Sequence, residues 1–310
     1  MAYSPFEIAS SLNCVPENNT MKDVSLKAKR RNIQNIGISV LFVSLLVSAV
    51  FLFIVIIFIS LQGLKVINLE FLFSMPKKSM TAGGILPAIL GTLYLALGSV
   101  IFALPIGVLS GIYLNEYAKD NFLLRILKTG INNLAGVPSI VFGLFGLAIF
   151  VKFLGFGVSI LSGSLTLGIM ILPVIISTTV EALKTVPDSF REAAYGVGAT
   201  KWQTIKGIVL PSALPGILTG VILAIGRAAG ETAPILFTAA VFFSKKLPNS
   251  ILSPVQALPY HIYALMTEGT YPDKQIPIAY GSALVLLMLV LGMNLVAIII
   301  RIRQRKKRLW

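Results

Sequence analysis

Two ionisable residues interrupt an apolar run in "GRAAGETAPILFTA", residues 226–239: Arg227 and Glu231. A spacing of four puts both on one face of a helix. Ionisable groups at hydrocarbon depth are costly, face a protein interior or a water-filled path, and mark the route of a charged substrate. A guanidinium presents a planar fork of donors that matches two oxygens of an oxyanion. A carboxylate beside it repels an unprotonated dianion such as sulfate but accepts a hydrogen bond from hydrogen phosphate, which brings its own proton, so the pair tilts selection toward phosphate. Two other readings stay open. One is a structural intrahelical ion pair, for which Arg before Glu is the weaker order. The other puts Arg227 near the outer interface, snorkelling outward, since it lies sixteen residues beyond Pro211, about 24 Å along a straight helix.

These residues need spans to hold them. Mean hydropathy is +0.87, 56% of the 310 residues are hydrophobic and only 12% are charged, about half the charged share of a soluble domain. Stretches free of charge cover 32–64, 79–115, 129–151, 153–180, 207–226 and 275–300. About 20 apolar residues cross the hydrocarbon as a helix, which predicts six spans. The period-two alternation of a membrane barrel is absent from the sequence, leaving helices to satisfy the backbone in lipid. The fold class is therefore an all-α integral membrane protein with six transmembrane helices. The predicted organisation is a polar, basic tail over 1–35, a transmembrane domain over 36–300, an outer loop over 244–277 and a basic tail over 301–310. Lys22–Arg31 and the final "RIRQRKKRLW" concentrate the positive charge, which puts both termini on the cytoplasmic side. The first span exceeds the apolar core of a secretion signal, so it reads as an uncleaved anchor.

Within this frame Gly107 and Gly111 permit close helix contact at the end of the second span, and Gly136 and Pro138 bend the third, which starts at Ile131. The fourth runs over Leu161–Leu183. From Val209 apolar character continues to Phe243, too far for one span. Pro234 biases Ala233 away from helix, which predicts a break there and a separate apolar piece, Ile235–Phe243, suited to gating. Gly216/Gly220 and Gly226/Gly230 fit packing inside the chain first and against a partner second.

Between the fourth and fifth spans lies "REAAYGVGATKWQTIKGIVLP", residues 191–211, polar where its surroundings are not. Pro187 suits a helix start, Ser189 with Glu192 fits a capping box, and Gly198 suits a left-handed stop. Thr200 with Gln203 forms a second box, and Pro211 marks entry to the fifth span. Two capped starts predict a rigid helix–turn–helix bracket over 187–211, on the cytoplasmic side, rather than an amphipathic loop lying on lipid.

The spacing Glu192-Ala193-Ala194, three residues, Gly198, nine residues, Ile208-x-Leu210-Pro211 resembles the EAA signature of bacterial ABC importer permeases. With "NLAGVPSIVFGLFGL" (133–147), the stretch 214–239 and "ALPYHIY" (257–263), the chain from the second span to the sixth resembles the PstA-type permeases of phosphate importers. That resemblance implies type I, MetI-like architecture in a bacterial inner membrane. It implies a bracket that docks in a separate ATPase through Glu192, Ala193, Ala194, Gly198, Thr200, Ile208, Leu210 and Pro211. It also implies that Arg227, with Glu231 beside it, lies on the phosphate path. The implied partners are a homologous PstC-like permease, two PstB-like ATPases and an extracytoplasmic PstS-like binding protein. No cofactor is expected on this chain; ATP and Mg²⁺ belong to the partner ATPases, and the chain is expected to be no enzyme. A permease for sulfate or molybdate is the alternative, and an ATPase-independent anion transporter a more distant one, since six spans with one charged pair hardly supply the repeats and intramembrane charge such carriers use.

Other chemistries find little support. The sequence holds no Walker A pattern. Cys14 is its single cysteine and His261 its single histidine, so thiol metal sites and disulfides are not expected, and His261 reads as a packing or surface residue of the outer loop. The net charge of +14 follows from juxtamembrane tails facing anionic lipid, with no aromatic-interleaved basic patch for nucleic acid.

Overall fold

The computed structural model describes residues 17–77, 80–119, 121–244 and 247–306; Cys14 lies outside them. The helices are α1 (Glu17–Gly63), α2 (Leu69–Phe73), α3 (Leu86–Ile112), α4 (Phe122–Ala135), α5 (Ser139–Gly146), α6 (Ile160–Lys184), α7 (Asp188–Gly196), α8 (Lys201–Thr204), α9 (Leu210–Gly230), α10 (Ala233–Thr238), α11 (Leu258–Thr267) and α12 (Pro272–Lys306). Three π-helical stretches extend or join them: Tyr113–Tyr117 after α3, Leu147–Phe153 after α5, and Ile205–Val209 between α8 and α9. Among the described residues five helices are long and apolar enough to cross a membrane, and a sixth span results if the bent pair α4 and α5 counts as one.

Residues up to Phe58 and residues from Ile59 onward form two separate compact units. The first is α1 to Phe58, whose helix begins at Glu17 within the polar N-terminal segment and runs on without interruption into the first span.

In the second unit, α3 and α9 both pack on α6 and touch each other. Gly107 and Gly111 bring α3 against Ile175 and Thr179, and Gly216 and Gly220 bring α9 against Ala182 and Thr178. A Cβ at any of the four would overlap α6, so both small pairs serve packing inside this chain. Leu95, Leu167, Met170, Ile171, Ile175, Ala224, Ala228 and Ile235 form the central apolar cluster among these helices.

The third span differs from its expected course. Ile131–Ala135 belong to α4, and the chain turns by 100° before Ser139. Pro138 lacks an N–H and pushes Val137 out of helical backbone, so α4 ends at Ala135 with Gly136 as its cap. Glycines in α5 then admit the segment after α9: Gly143 lies against Ala233, Pro234 and Phe237, and Gly146 against Thr166 and Thr238.

The fifth span also departs from expectation at both ends. Its helix starts at Lys201 instead of Pro211, because α8, the π turn and α9 run on as one helix, Lys201–Gly230. Pro211 cannot donate to Gly207, and its ring crowds that carbonyl; the wider π turn, in which Leu210 N–H reaches the Ile205 carbonyl, absorbs the clash. At the far end the break falls on Glu231, whose backbone is extended (φ −75°, ψ 134°). Pro234 sits in the first turn of α10, where its missing N–H costs nothing, so it starts the new helix instead of ending the old one. Beyond α10 the chain is fastened: Ser159 N–H donates to Thr238 O, Val255 N–H to Ala239 O and Val241 N–H to Val255 O.

The connection to α12 contains α11, which buries His261 to 3% exposure with neither ring nitrogen hydrogen-bonded among the described residues. Burial lowers its pKa from about 6.5 to about 4. Above pH 6.5 both folded and unfolded chains carry a neutral ring. Between pH 6.5 and 4 only the unfolded chain takes up the proton, so stability falls as pH falls through that window, by up to about 3 kcal/mol. Thermal unfolding of the purified protein is expected at lower temperature at pH 4.5 than at pH 7, with a smaller difference in His261→Phe. An unchanged pH slope in that variant would assign the effect to other groups.

Candidate functional site

The antiparallel packing of α9 on α6 fixes the level of Arg227 along α6. Gly220 faces Thr178, and one turn beyond Arg227 the Glu231 side chain lines the same packing gap as Leu167, Thr92 and Leu95. Arg227 therefore stands level with Ile171, about midway along the 25 residues of α6, roughly 17–20 Å from either end of that helix. The interfacial reading counted from Pro211 as the point of entry, and Pro211 is not the start of this helix, which runs from Lys201. Pro211 lies beyond the last turn of α6, where Leu183 and Val186 pack with Ile205, Val209 and Ala213.

Arg227 Nε and Glu231 Oε1 are 3.4 Å apart, with the side chains 34% and 19% exposed. That is long for a charge-assisted hydrogen bond, which closes to about 2.7–2.9 Å. The two terminal guanidinium nitrogens make no hydrogen bond among the described residues, so the fork is open. Beside it the backbone is unwound at Glu231, and such breaks at membrane depth are tolerated where the backbone is buried or lines a cavity. The ensemble offers donors for two oxygens of an anion, an acceptor one turn away, and irregular backbone at the junction.

The bracket lies at the other end of α9. Its first arm, α7, starts at Asp188 with Pro187 as N-cap and no side-chain cap bond. The expected Ser189–Glu192 box does not form: the fixed φ of Pro187 starts the helix one residue earlier and places Ser189 inside it. The second box does form, with Thr200 and Gln203 exchanging bonds. Gly198 has φ +82° and open space around its Cα, the left-handed stop glycine favours. Ala194 turns inward at 3% exposure. Glu192 and Ala193 point outward, among exposed Phe190, Tyr195, Val197 and Trp202. Ile208 lies in the π turn, and Leu210 and Pro211 open α9. The structure thus gathers the bracket residues at one end of the continuous helix Lys201–Gly230, whose last turn carries Arg227, about 37 Å from Trp202 along the axis.

Sequence reasoning missed the residues that hold the bracket. Arg191 Nη2 donates to Glu116 Oε1 at 2.8 Å and Arg191 Nε to Oε2 at 3.3 Å, while Nη1 and Nη2 donate to the Val186 and Leu183 carbonyls. The Glu116 hydrogen bond raises the Arg191 pKa further above its ordinary value, against the opposing effect of burial. Lys201 Nζ stands 4.8 Å from the centre of the Tyr117 ring. On α12, Arg301 Nη1 donates to Thr219 Oγ1 at 3.0 Å. Arg191 opens the stretch quoted from the sequence, but nothing in one sequence pairs it with a carboxylate 75 positions away.

Comparison with known proteins fits this arrangement. Residues 103–308 match the family described as "Binding-protein-dependent transport system inner membrane component". The chain is 35% identical over 251 residues to a probable ABC transporter permease protein, YqgI, of Bacillus subtilis (strain 168), covering 77% of this chain and 85% of that protein. It is 41% identical over 215 residues to the phosphate transport system permease protein PstA of Mycobacterium leprae (strain TN), covering 69% of each. Among solved structures, an inward-facing MetNI methionine ABC transporter superposes with TM-score 0.57 at 18% identity, over 70% of this chain and 94% of the other. A bacterial alginate importer superposes with TM-score 0.56 at 16% identity, over 88% and 99%. At these identities the structures speak for the fold alone.

Proposed function

The chain belongs to the family of binding-protein-dependent transport system inner membrane components, and from that premise we propose that it is the PstA-type permease subunit of an ATP-driven importer of inorganic phosphate. The observation that carries the substrate is the open Arg227 fork beside Glu231; the relatives named for phosphate transport support the same cargo. The end of the bundle with α7 faces the cytoplasm, as do both termini, and the end with α11 faces outward. A homologous permease completes the path, an extracytoplasmic binding protein delivers phosphate, and two ATPase subunits use ATP and Mg²⁺. Glu192 and Ala193, with their apolar surround, dock in the ATPase. Because Lys201–Gly230 is one helix, displacement of the bracket tilts Arg227 between outward- and inward-open states. This chain binds, orients and releases the anion and makes no covalent bond.

Selectivity follows from the acceptor. Hydrogen phosphate donates a hydrogen bond through its O–H to Glu231 while Arg227 holds two other oxygens; sulfate has no O–H to donate and meets an unrelieved charge. The test is ATP-dependent uptake of labelled phosphate by the complex reconstituted in vesicles. A roughly hundredfold excess of sulfate is expected to leave the wild type unaffected and to inhibit Glu231→Gln, in which the repelling charge is gone. Sulfate competition in the wild type would assign the chain another oxyanion. An inert Glu231→Gln would remove the carboxylate from selection.

A further inference from the structure

Three elements meet at Arg191. Its side chain is 13% exposed and that of its partner Glu116 only 6%, so the pair is sheltered and turned away from the outward face that carries Glu192. Through Glu116 the guanidinium grips the π-helical end of α3, through the Leu183 and Val186 carbonyls it closes the end of α6, and through Asp188, at 3.0 Å, it braces the first turn of α7. Apart from this residue α7 packs mainly on α8 and the π turn that follows. The second arm of the bracket reaches the same stretch of α3 through Lys201 and Tyr117.

The bracket therefore has two mechanical outputs. One is covalent: α8 runs into α9 and reaches Arg227. The other is ionic: α7 holds the π-helical end of α3, whose Thr92 and Leu95 line the same packing gap as Glu231. We infer that the Arg191–Glu116 pair is the joint through which the stroke received by the bracket is passed to α3, so that both walls beside Glu231 move together. Arg191 and Glu116 are positioning residues; neither touches substrate. Guanidinium suits the task because its planar fork fixes direction as well as distance, which a lysine ammonium does not, and because breaking a sheltered pair leaves an uncompensated charge.

The inference rests on the coupling role proposed for the bracket, and the experiment separates the two. In the reconstituted complex, phosphate moved per ATP hydrolysed is measured for wild type, Arg191→Gln, Glu116→Gln and the double variant. Each is expected to assemble with its ATPases and hydrolyse ATP within about twofold of wild type, while the transport ratio falls about tenfold. The double variant should be no worse than the poorer single, since both remove one interaction. A second readout is independent of cargo. With Cys14→Ser as background, spin labels at exposed Val197 and Leu109 (α3) should keep a fixed separation between the ATP-free and ATP-trapped states of wild type, and a broadened one in Arg191→Gln. Unchanged transport ratios, additive losses, or a spin-label distance indifferent to Arg191→Gln would overturn the joint. So would failure of both single variants to assemble, which would make the pair a folding element. A wild type that carries another oxyanion would instead sink the phosphate reading and leave the spin-label distances to decide the joint.

Discussion

Arg227→Gln is expected to abolish ATP-driven phosphate uptake, by a factor on the order of 10²–10⁴, while the complex remains assembled. The figure follows from the open fork. Hydrogen bonds to a charged group contribute about 1.5–3 kcal/mol each, and two terminal nitrogens stand unengaged among the described residues. Losing both removes about 3–6 kcal/mol from an anion held by the fork. Glutamine keeps the approximate length of the side chain and a donor, so packing on α6 and α12 is little disturbed. Arg227→Lys, a point charge without the planar fork, should fall between, about tenfold below wild type. Labelled phosphate uptake in vesicles, with ATPase content checked in parallel, reads all three. Normal transport by Arg227→Gln would return the pair to a structural tie at the helix end. Its geometry argues against that: at 3.4 Å, with Arg preceding Glu, it is the weak form of a weak interaction worth about 0.2–0.5 kcal/mol at best.

What the sequence made legible is what depends on run length and local chemistry. The apolar stretches mark the spans, the Thr200–Gln203 box and Gly198 fix the turn of the bracket, and the four-residue spacing brings Arg227 and Glu231 together, although Glu231 stands just past the helix end instead of on its face. Three things were hidden, each for a physical reason. Pro211 looks like a helix start, and only the π turn before it reveals that the helix has run on from Lys201. Glu231 carries no breaker signal, since its extended backbone is set by the docking of α10 on α5. The Arg191–Glu116 pair joins positions 75 apart, and such contacts belong to the packed bundle.

Glu192→Lys should strip the ATPases from the complex and take uptake with them, although nothing in this chain depends on that carboxylate. Glu192 is exposed, and its side chain makes no hydrogen bond or ion pair among the described residues. An exposed substitution of that kind ordinarily changes stability by less than about 0.5 kcal/mol. A large effect must therefore arise at a partner. If Glu192 meets a cation in a desolvated cleft, reversing its charge turns attraction into repulsion and costs about 2–5 kcal/mol or more, a loss of affinity of roughly thirtyfold to several thousandfold. Co-purification of the ATPases in detergent reads this directly. Gly198→Val supplies an independent arm. Its Cα has free space, so a side chain meets no obstacle, and the cost is the left-handed backbone alone, about 1–2 kcal/mol. It should reshape the turn between α7 and α8 and weaken ATPase retention without altering any docking group. Retention of the ATPases by both variants would mean that the bracket is not the docking element, and the exposed cluster of Phe190, Tyr195, Val197 and Trp202 would then have to be covered by something else, with the second permease the nearest alternative. Loss in Glu192→Lys with survival in Gly198→Val would keep the docking face and show that it tolerates a reshaped turn.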